Sequence, residues 1–132
     1  MYRTVRFAVA GTPRPKGSLR HVGKGRLVEQ TDVKRWMGTV RNACQGTERL
    51  DGPVHVALVF VFERPKTVKD RPYPSVRSTG DLDKLCRAVL DAIQPKDAWP
   101  GIVDDDSQVV SLYATKEYGP EPGVHVIITE KS

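Results

Sequence analysis

Residues that form disulfides or bind soft metals are scarce in this sequence. It has only two cysteines, Cys44 and Cys86, and three histidines among 132 residues. The cysteines lie far apart without a C-x-x-C pattern, so we expect reduced thiols in a cytoplasmic protein. The histidines, at 21, 55 and 125, have no metal-binding spacing. The sequence therefore indicates neither a disulfide framework nor a metal site built from cysteine and histidine.

Long hydrophobic runs are absent as well. No stretch approaches the ~20 apolar residues that a membrane-spanning helix needs. The first residues, MYRTVRFAVAGTPRP, place charges on both sides of a short apolar run, which favours a first strand over a signal peptide. A chain of 132 residues with 39% hydrophobic and 28% charged residues is typical of one globular domain, here 1–132. We therefore expect a single-domain protein without a membrane partner.

Apolar periodicity predicts strands and helices in the order β-α-β-α-β-β. The expected strands are 4–11, 53–64, 107–119 and 123–131, and the expected helices run from Thr31 or Asp32 to Gly46 and over 81–93. Segment 11–27, rich in Gly, Pro and basic residues, is expected to be a loop or a loose hairpin around residues 23–25. The nearly continuous apolar run 53–64 indicates a central strand covered on both faces. The expected fold class is α/β (α+β), with two helices packed on a mixed sheet of about four strands.

Positive charge is concentrated in two loops, although the net charge is only +5. Segment 14–26 has five Lys or Arg and no acid, and segment 64–77 has five with a single acid, Asp70. These residues are Arg14, Lys16, Arg20, Lys24 and Arg26 in the first loop, and Arg64, Lys66, Lys69, Arg71 and Arg77 in the second. Such loops favour binding to a phosphate backbone, which His21 could also contact. Solvated loops that are basic by chance explain the charge alone equally well.

Negative charge is concentrated between residues 81 and 106, where seven aspartates stand against three basic residues. Asp81 falls at the start of the second helix, where an N-cap role would suffice to explain it. Asp83, Arg87 and Asp91 are spaced i, i+4 and i+8, so they lie in one line along the helix, as in a surface salt-bridge ladder. Each of these positions has a structural explanation when it is taken alone.

Three adjacent aspartates at 104, 105 and 106 repel one another, and an acidic turn is their simplest structural explanation. If this stretch and the helix converge in space, the repulsion requires a cation or a proton between them. A ligand set made of carboxylates alone favours Mg²⁺ or Mn²⁺. Such an ion can activate water and stabilise the transition state of phosphodiester hydrolysis. Together with the basic loops, the aspartates favour a metal-dependent enzyme that cleaves a nucleic acid.

Other carboxylate chemistries fit the sequence less well. The stretch DLDKLCRAVLDA lacks the Gly and the Glu of an EF-hand loop. A haloacid-dehalogenase-like phosphatase has its D-x-D after an apolar strand, whereas PSVRSTG precedes it here. A glycosidase would need aromatic residues to line a sugar cleft, and these make up only 7% of the chain. A phosphatase acting on a small phosphoester and a non-catalytic branched-DNA-binding protein stay as alternatives.

The stretch GDLDKLCRAVLDAI, followed by VDDDSQVV and a strand ending in ATKEYG, resembles the RusA family of Holliday-junction resolvases. The family pattern is roughly D-[LIV]-D-N-L-x-K-x-x-x-D-A-L, a loop and D-D-x-Q-[VI]. The resemblance is clear over about 80–119 and extends, in size and element order, to the whole chain. It implies a homodimeric, Mg²⁺-dependent endonuclease without a small-molecule cofactor, which makes paired nicks across four-way DNA junctions during recombination and repair in a bacterial or phage-infected cell. A two-fold dimer suits a junction that needs two symmetric cuts.

The resemblance also implies roles for individual aspartates. Asp81 and Asp83 match the first two metal-binding aspartates, and DDSQVV aligns the later pair with Asp105 and Asp106. If the strand already begins at this point, Asp104 and Asp106 share one face and Asp105 lies on the other. We therefore expect Asp106 to be the third metal ligand, Asp105 to orient a ligand or a metal-bound water, and Asp104 to matter least.

Two basic residues depart from the family pattern. Lys84 stands where the family has Asn, and Arg87 stands where it has the helix Lys. An arginine keeps the charge and can bind a phosphate, but it does not readily donate or accept a proton. Both residues are expected in the catalytic site, and any proton transfer made by the family's Lys is expected from Lys84 or not at all.

Overall fold

Four strands form one mixed sheet in the computed structural model, which describes residues 2–17, 20–22, 26–28, 31–66, 72–75 and 79–131. The strands are β1 (Arg3–Ala10), β4 (Val54–Phe62), β5 (Val109–Tyr118) and β6 (Gly123–Glu130). Two short strands, β2 (Arg20–Val22) and β3 (Arg26–Val28), pair with each other. The helices are α1 (Thr31–Ala43) and α2 (Leu82–Ala92). The predicted fold class is confirmed, and segment 11–27 contains the hairpin rather than only a loop.

The order of strands in the main sheet is β1-β6-β4-β5. β6 runs antiparallel to both β1 and β4, whereas β4 and β5 run parallel. Parallel neighbours need a crossover connection, and α2 lies within that connection in the chain. β4 is central as predicted, and β1 and β5 are the two edge strands of the described sheet.

Both helices pack on the same face of the sheet. Alternate residues of β4, from Val54 to Phe62, are buried on that face, and they meet the apolar stripes of α1 and α2 in one core. The other β4 face is only partly covered, since His55, Ala57 and Val59 are half-buried. The expectation of cover on both faces is therefore wrong for the described residues, because α1 and α2 contact each other on one side of the sheet.

The crossover gives α2 a defined direction. Its first end lies near the C-terminal end of β5, because Lys116 Nζ donates to the carbonyl of Gly80 at 3.0 Å. Its last end lies near the N-terminal ends of β4 and β5, because the Ile102 N–H donates to the carbonyl of Ile93 at 2.8 Å and the Leu50 N–H donates to Ile102. The helix thus runs opposite to the two strands that it connects.

Candidate active site

Two carboxylates stand at the start of α2. Asp81 is the N-cap residue, with φ −78° and ψ 143°, yet its side chain makes no capping hydrogen bond and is 76% exposed. Asp83 lies in the first turn and is also exposed. A capping role therefore does not account for Asp81, and both carboxylates are open to a ligand at the positive end of the helix dipole.

The described part of the first basic loop, residues 12–17, packs along α2. The Lys16 N–H donates to the Lys84 carbonyl at 2.9 Å, and Lys16 Nζ pairs with Asp91 Oδ2 at 2.8 Å. Gly17 has φ +145°, and a Cβ there would lie 2.6 Å from Arg87 Nη1. The left-handed φ favours glycine at this position, and Asp91 binds the loop through Lys16.

Three cationic side chains, Lys84, Arg87 and Lys116, lie near the start of α2. Lys84 Nζ lies 3.9 Å from Asp81 Oδ2, and Arg87 is exposed one turn further along the helix. Lys116 reaches the helix start from β5, whereas the ammonium of Lys16 lies beside Asp91 near the end of the helix. Cations placed beside aspartates in this way can bind the phosphate that a metal-bound carboxylate pair would approach.

Lys116 was missed by the sequence analysis. The sequence signal for Lys116 is its position in β5. It lies between Ala114 and Tyr118 on the strand face that is covered by the helices. A lysine is unusual on such a face. Its ammonium group holds the carbonyl of Gly80, directly before Asp81. Lys116 therefore sets the position of the helix start.

Other predicted DNA-binding residues lie at the C-terminal ends of β1, β4 and β5, the end of the sheet where α2 begins. Arg64 follows the end of β4, and its guanidinium stacks 4.3 Å above the ring of Tyr118 at the end of β5. Lys66 is exposed two residues later. Arg14 lines a cleft beside the start of α1, together with Arg35 and other residues of that helix.

The other basic residues of the two loops lie wholly or partly outside the described part of the chain. Lys24, Lys69, Arg71 and Arg77 lie outside the described residues. For Arg20, His21 and Arg26 only the backbone of the β2–β3 hairpin is described. Their roles on DNA stay predictions.

The second acidic stretch is built differently. Asp104 pairs with Arg49 Nη2 at 2.6 Å. Asp105 caps a 3₁₀ turn, Asp106–Gln108, by accepting the Ser107 N–H at 2.9 Å, and the Ser107 hydrogen bonds lower the pKa of its carboxyl. Gln108 Nε2 anchors this turn to the carbonyls of Leu50 and Gly52, at 3.0 Å each.

Asp106 is exposed on this turn, whereas Asp104 and Asp105 have structural partners. β5 begins only at Val109, so the alternation of strand faces does not apply to residues 104–106. That premise of the ranking is wrong. The order of importance itself stays a prediction; Asp104 and Asp105 both hold the turn, and Asp106 is exposed on it.

The two acidic stretches lie at opposite ends of α2. Asp81 and Asp83 are at its start, whereas residues 104–106 follow the loop bonded to Ile93 at its end. A helix of 11 residues separates its ends by roughly 16 Å. Within the described part of the chain, no group of three His, Cys, Asp or Glu side chains is placed to hold a metal ion. The convergence considered from the sequence is therefore not found within one chain.

The donor chemistry of Asp81 and Asp83 still suits a hard divalent cation. Both are carboxylates, both are exposed, and Mg²⁺ is usually bound by one or two carboxylates plus substrate phosphates and water. The cysteines offer no competing chemistry. Cys44 and Cys86 are free and buried, and burial raises the pKa of each thiol to about 11, so both stay protonated.

Comparison with known proteins decides the family. The model of the family described as Endodeoxyribonuclease RusA matches residues 7–129. The chain belongs to the RusA family. It is therefore an endodeoxyribonuclease of the Holliday-junction resolvase type, which binds branched DNA and uses a divalent metal. The resemblance seen in the sequence is confirmed.

One curated relative matches nearly the whole chain. It is the uncharacterized protein YqaN of Bacillus subtilis (strain 168), which is 28% identical over 144 residues, covering 97% of each chain. Its name carries no activity, so the functional assignment rests on the family. None of the described helices is long and apolar enough to cross a membrane.

Proposed function

We propose that this chain is one subunit of a homodimeric, Mg²⁺-dependent resolvase that makes paired, symmetric nicks across a four-way DNA junction. The observation that carries the proposal is the exposed pair Asp81 and Asp83 at the start of α2. The Asp81 side chain makes no capping hydrogen bond, and the cations Lys84, Arg87 and Lys116 lie nearby. Mn²⁺ would bind the same oxygen ligands. We place this activity in recombination and repair in the cytoplasm of a bacterial or phage-infected cell.

The proposed metal ligands are Asp81, Asp83 and Asp106. Because Asp106 lies at the other end of α2 within one chain, it would join the pair from the second subunit of the homodimer. A bound Mg²⁺ would supply an activated water and charge stabilisation at the phosphorus. Lys84 and Arg87 would bind the oxygens of the scissile phosphate, because their side chains flank the aspartates on α2. Lys84, beside Asp81, is the residue able to exchange a proton, whereas Arg87 stays charged.

The basic residues at the end of the sheet where α2 begins would bind the arms of the DNA junction. Arg14, Lys16, Arg64 and Lys66 project from loops that follow β1 and β4, next to the start of α2. Electrostatic contacts of this kind position the backbone without reading the base sequence. The remaining basic residues of both loops are proposed to extend this surface.

The decisive experiment is cleavage of a synthetic four-way junction by Asp81→Asn and Asp83→Asn variants under single-turnover conditions in Mg²⁺. Each is expected to lose cleavage by more than about 100-fold, since even an outer partner of a metal ligand is worth 10–100-fold. Junction binding, measured in Ca²⁺, should be kept or become tighter, because a negative charge near phosphates is removed.

The matched control is Asp97→Asn, an exposed aspartate of the same acidic segment in a turn away from the helix start. It should cleave as the unchanged protein does. Near-normal cleavage by Asp81→Asn or Asp83→Asn would remove the metal-site assignment. Normal cleavage without any divalent ion, after treatment with a chelator, would remove the metal requirement.

A further inference from the structure

We infer that a cleft between α1 and the loop after β1 takes a single nucleotide that has left its base pair at the branch point of the DNA. Arg14 and Arg35 would bind its phosphate, and Asp32 would bind its base. This contact goes beyond the proposed cleavage reaction, because it involves none of the aspartates of α2. It requires only the binding of branched DNA, which belongs to the family.

The cleft has the size of one nucleotide. Its volume is about 260 Å³, close to the lower limit of roughly 300 Å³ for sites that bind small ligands. A double helix cannot enter a cleft of this volume, whereas one base with its sugar and phosphate can. The loop and the helix line the cleft with Gly11, Thr12, Arg14, Asp32, Arg35 and Trp36.

Both walls of the cleft are fixed by packing. The Gly11 N–H donates to the carbonyl of Pro122 at 3.1 Å, which ties the loop to the start of β6. Gly11 has φ +133°, and a Cβ there would lie 3.3 Å from Cζ3 of Trp36. Trp36 is 4% exposed and belongs to the core. A ligand would therefore meet a site that is already formed, as small-ligand sites usually are.

Three charged side chains line this cleft without pairing with one another. Within the part of the chain that the structure describes, Arg14, Asp32 and Arg35 have no ion-pair partner. Asp32 and Arg35 are spaced i and i+3 on α1, which would allow a pair. Two guanidinium groups and one carboxylate leave a net positive charge, and their hydrogen-bonding groups are available to a ligand.

The combination of charges fits a nucleotide better than a phosphate alone. Guanidinium groups bind phosphate oxygens through paired N–H groups, which suits Arg14 and Arg35. An ionised carboxylate only accepts hydrogen bonds, so Asp32 needs a ligand that also carries donors. The pairing edge of a base offers N–H donors once the base has left its pair. Asp32 therefore indicates an unpaired base beside the bound phosphate.

The cleft also borders the start of α2. Arg14 directly precedes Pro15, and a Cβ on Gly80 would lie 2.6 Å from Pro15 Cγ. Gly80 in turn directly precedes Asp81. One DNA strand advances about 3.4 Å per nucleotide. A strand bound at the start of α2 could therefore reach the cleft within a few nucleotides.

Solvated charges at a helix end would explain only part of this arrangement. An acidic residue in the first turn, such as Asp32, suits the helix dipole, and Arg35 is an ordinary exposed helix residue. Arg14 comes from a different element and is half-buried, yet it lines the same cleft. The convergence of two elements on one small cleft is what a binding site requires.

The test is a thermodynamic cycle between the protein and the DNA. Synthetic four-way junctions carry one abasic deoxyribose at each of the three nucleotides on either side of the branch point in turn, and binding is measured in Ca²⁺. At one position, Asp32→Ala should weaken binding of the intact junction about 10-fold more than binding of the abasic junction, because the base that Asp32 contacts is missing. Arg35→Ala should weaken binding to all junctions and lower the salt slope by about 1.

The matched control is Lys34→Ala, a change at an exposed residue of α1 that does not line the cleft. Its effect on binding should be the same for intact and abasic junctions at every position. If Asp32→Ala also shows no such dependence, no base enters the cleft and the inference fails. An unchanged salt slope for Arg35→Ala would overturn it as well. Because every measurement is of binding in Ca²⁺, failure of the proposed metal site would be detected separately, by the cleavage assays.

Extrusion of the base has its own readout. The base at the position identified by the cycle is replaced by 2-aminopurine, whose fluorescence is quenched while it is stacked in a duplex. Binding of the unchanged protein should raise this fluorescence, and Asp32→Ala should reduce the rise, because the extruded base loses its partner. Unchanged fluorescence on binding would show that the base stays in its pair, and the inference would fail.

Discussion

Three consecutive aspartates, Asp104, Asp105 and Asp106, have the same side chain but different partners. Asp104 pairs with Arg49, and Asp105 accepts the Ser107 N–H in a capping box. Asp106 is exposed on the 3₁₀ turn that these contacts hold. At the scale of residues, the partner of a carboxylate therefore separates a structural aspartate from a candidate ligand.

Single Asn substitutions in this stretch should damage cleavage unequally. Asp106→Asn is expected to lose more than about 100-fold, since a ligand is worth more than the 10–100-fold of an outer partner. Asp105→Asn should lose less, because Asn caps a turn nearly as well as Asp. Asp104→Asn should cleave almost normally but melt at a lower temperature. Single-turnover rates in Mg²⁺ and melting curves check the order, and an inactive Asp104→Asn with an active Asp106→Asn would reverse it.

At the scale of elements, the close packing of residues 12–17 on α2 depends on glycine. Gly80 has φ +83°, and a Cβ there would lie 2.6 Å from Pro15 Cγ. Gly46, after α1, has φ +85° with no atom within 4 Å of such a Cβ. The two glycines thus share a backbone conformation but differ in whether a neighbour approaches.

Gly80→Ala and Gly46→Ala should separate backbone strain from displacement of the loop. Both are expected to lower the free energy of unfolding by about 1–2 kcal/mol for the left-handed conformation. Gly80→Ala should lower it further and slow cleavage by about 10- to 100-fold, because it moves Pro15 and the cations beside Asp81. Urea denaturation and junction cleavage measure the two effects. Equal effects of both variants on cleavage would show that the Pro15 contact does not position the site.

Glu130 ties β6 to β1 and to the turn before β4. Its carboxylate accepts from Arg3 and from the N–H groups of Asp51 and Gly52. The hydrogen bond from Arg3, followed by that from Gly52, lowers the pKa of Glu130 from 4.5 to about 2. This carboxylate closes the end of the sheet opposite to the start of α2.

The acid stability of the fold should depend on Glu130. Because its pKa is lower in the folded state than in the unfolded state, its contribution is complete above pH 4.5 and is lost as the pH falls towards about 2. Glu130→Gln should therefore melt below the unchanged protein at pH 7, with the difference shrinking between pH 5 and pH 2. Melting temperatures across this range test it. A difference that is the same at every pH would exclude the ionised carboxylate as the cause.

Charge is unevenly arranged at the scale of the whole molecule. The loops after β1 and β4 bring basic residues to the end of the sheet where α2 begins. Glu130 and residues 104–106 lie at the opposite end, beside the N-terminal ends of β4 and β5. A DNA phosphate bound by these basic residues would approach Asp81 and Asp83 within a cationic surface.

Junction binding should weaken steeply with salt through this basic edge. The double variant Arg14→Ala, Lys66→Ala should lower the slope of log affinity against log salt by about 2, roughly 1 for each lost phosphate contact. Arg6→Ala, an exposed arginine on β1, should keep the slope. Titrations of a labelled junction in Ca²⁺ at several salt concentrations measure it, and an unchanged slope in the double variant would place DNA elsewhere.

Local pattern was sufficient for the elements and for the family. The strand β4 and the stripe of α2 follow from the spacing of apolar residues, which depends only on the periods of strand and helix. The motif GDLDKLCRAVLDAI with VDDDSQVV identified the family because its spacing lies in the sequence itself. The open second face of β4 was not predictable, since cover depends on where distant helices pack.

What only the tertiary structure decided is where the aspartates lie. Asp83 and Asp104 belong to the same connection between β4 and β5. Within it, α2 leads the chain from the C-terminal ends of these strands back to their N-terminal ends. Spacing along a sequence does not reveal this separation, because it depends on β4 and β5 being parallel neighbours, a long-range pairing. The same applies to Lys116, whose bond to Gly80 joins residues 36 positions apart. The sequence by itself determined which residues are available for the chemistry, and the strand pairing determined which of them can meet.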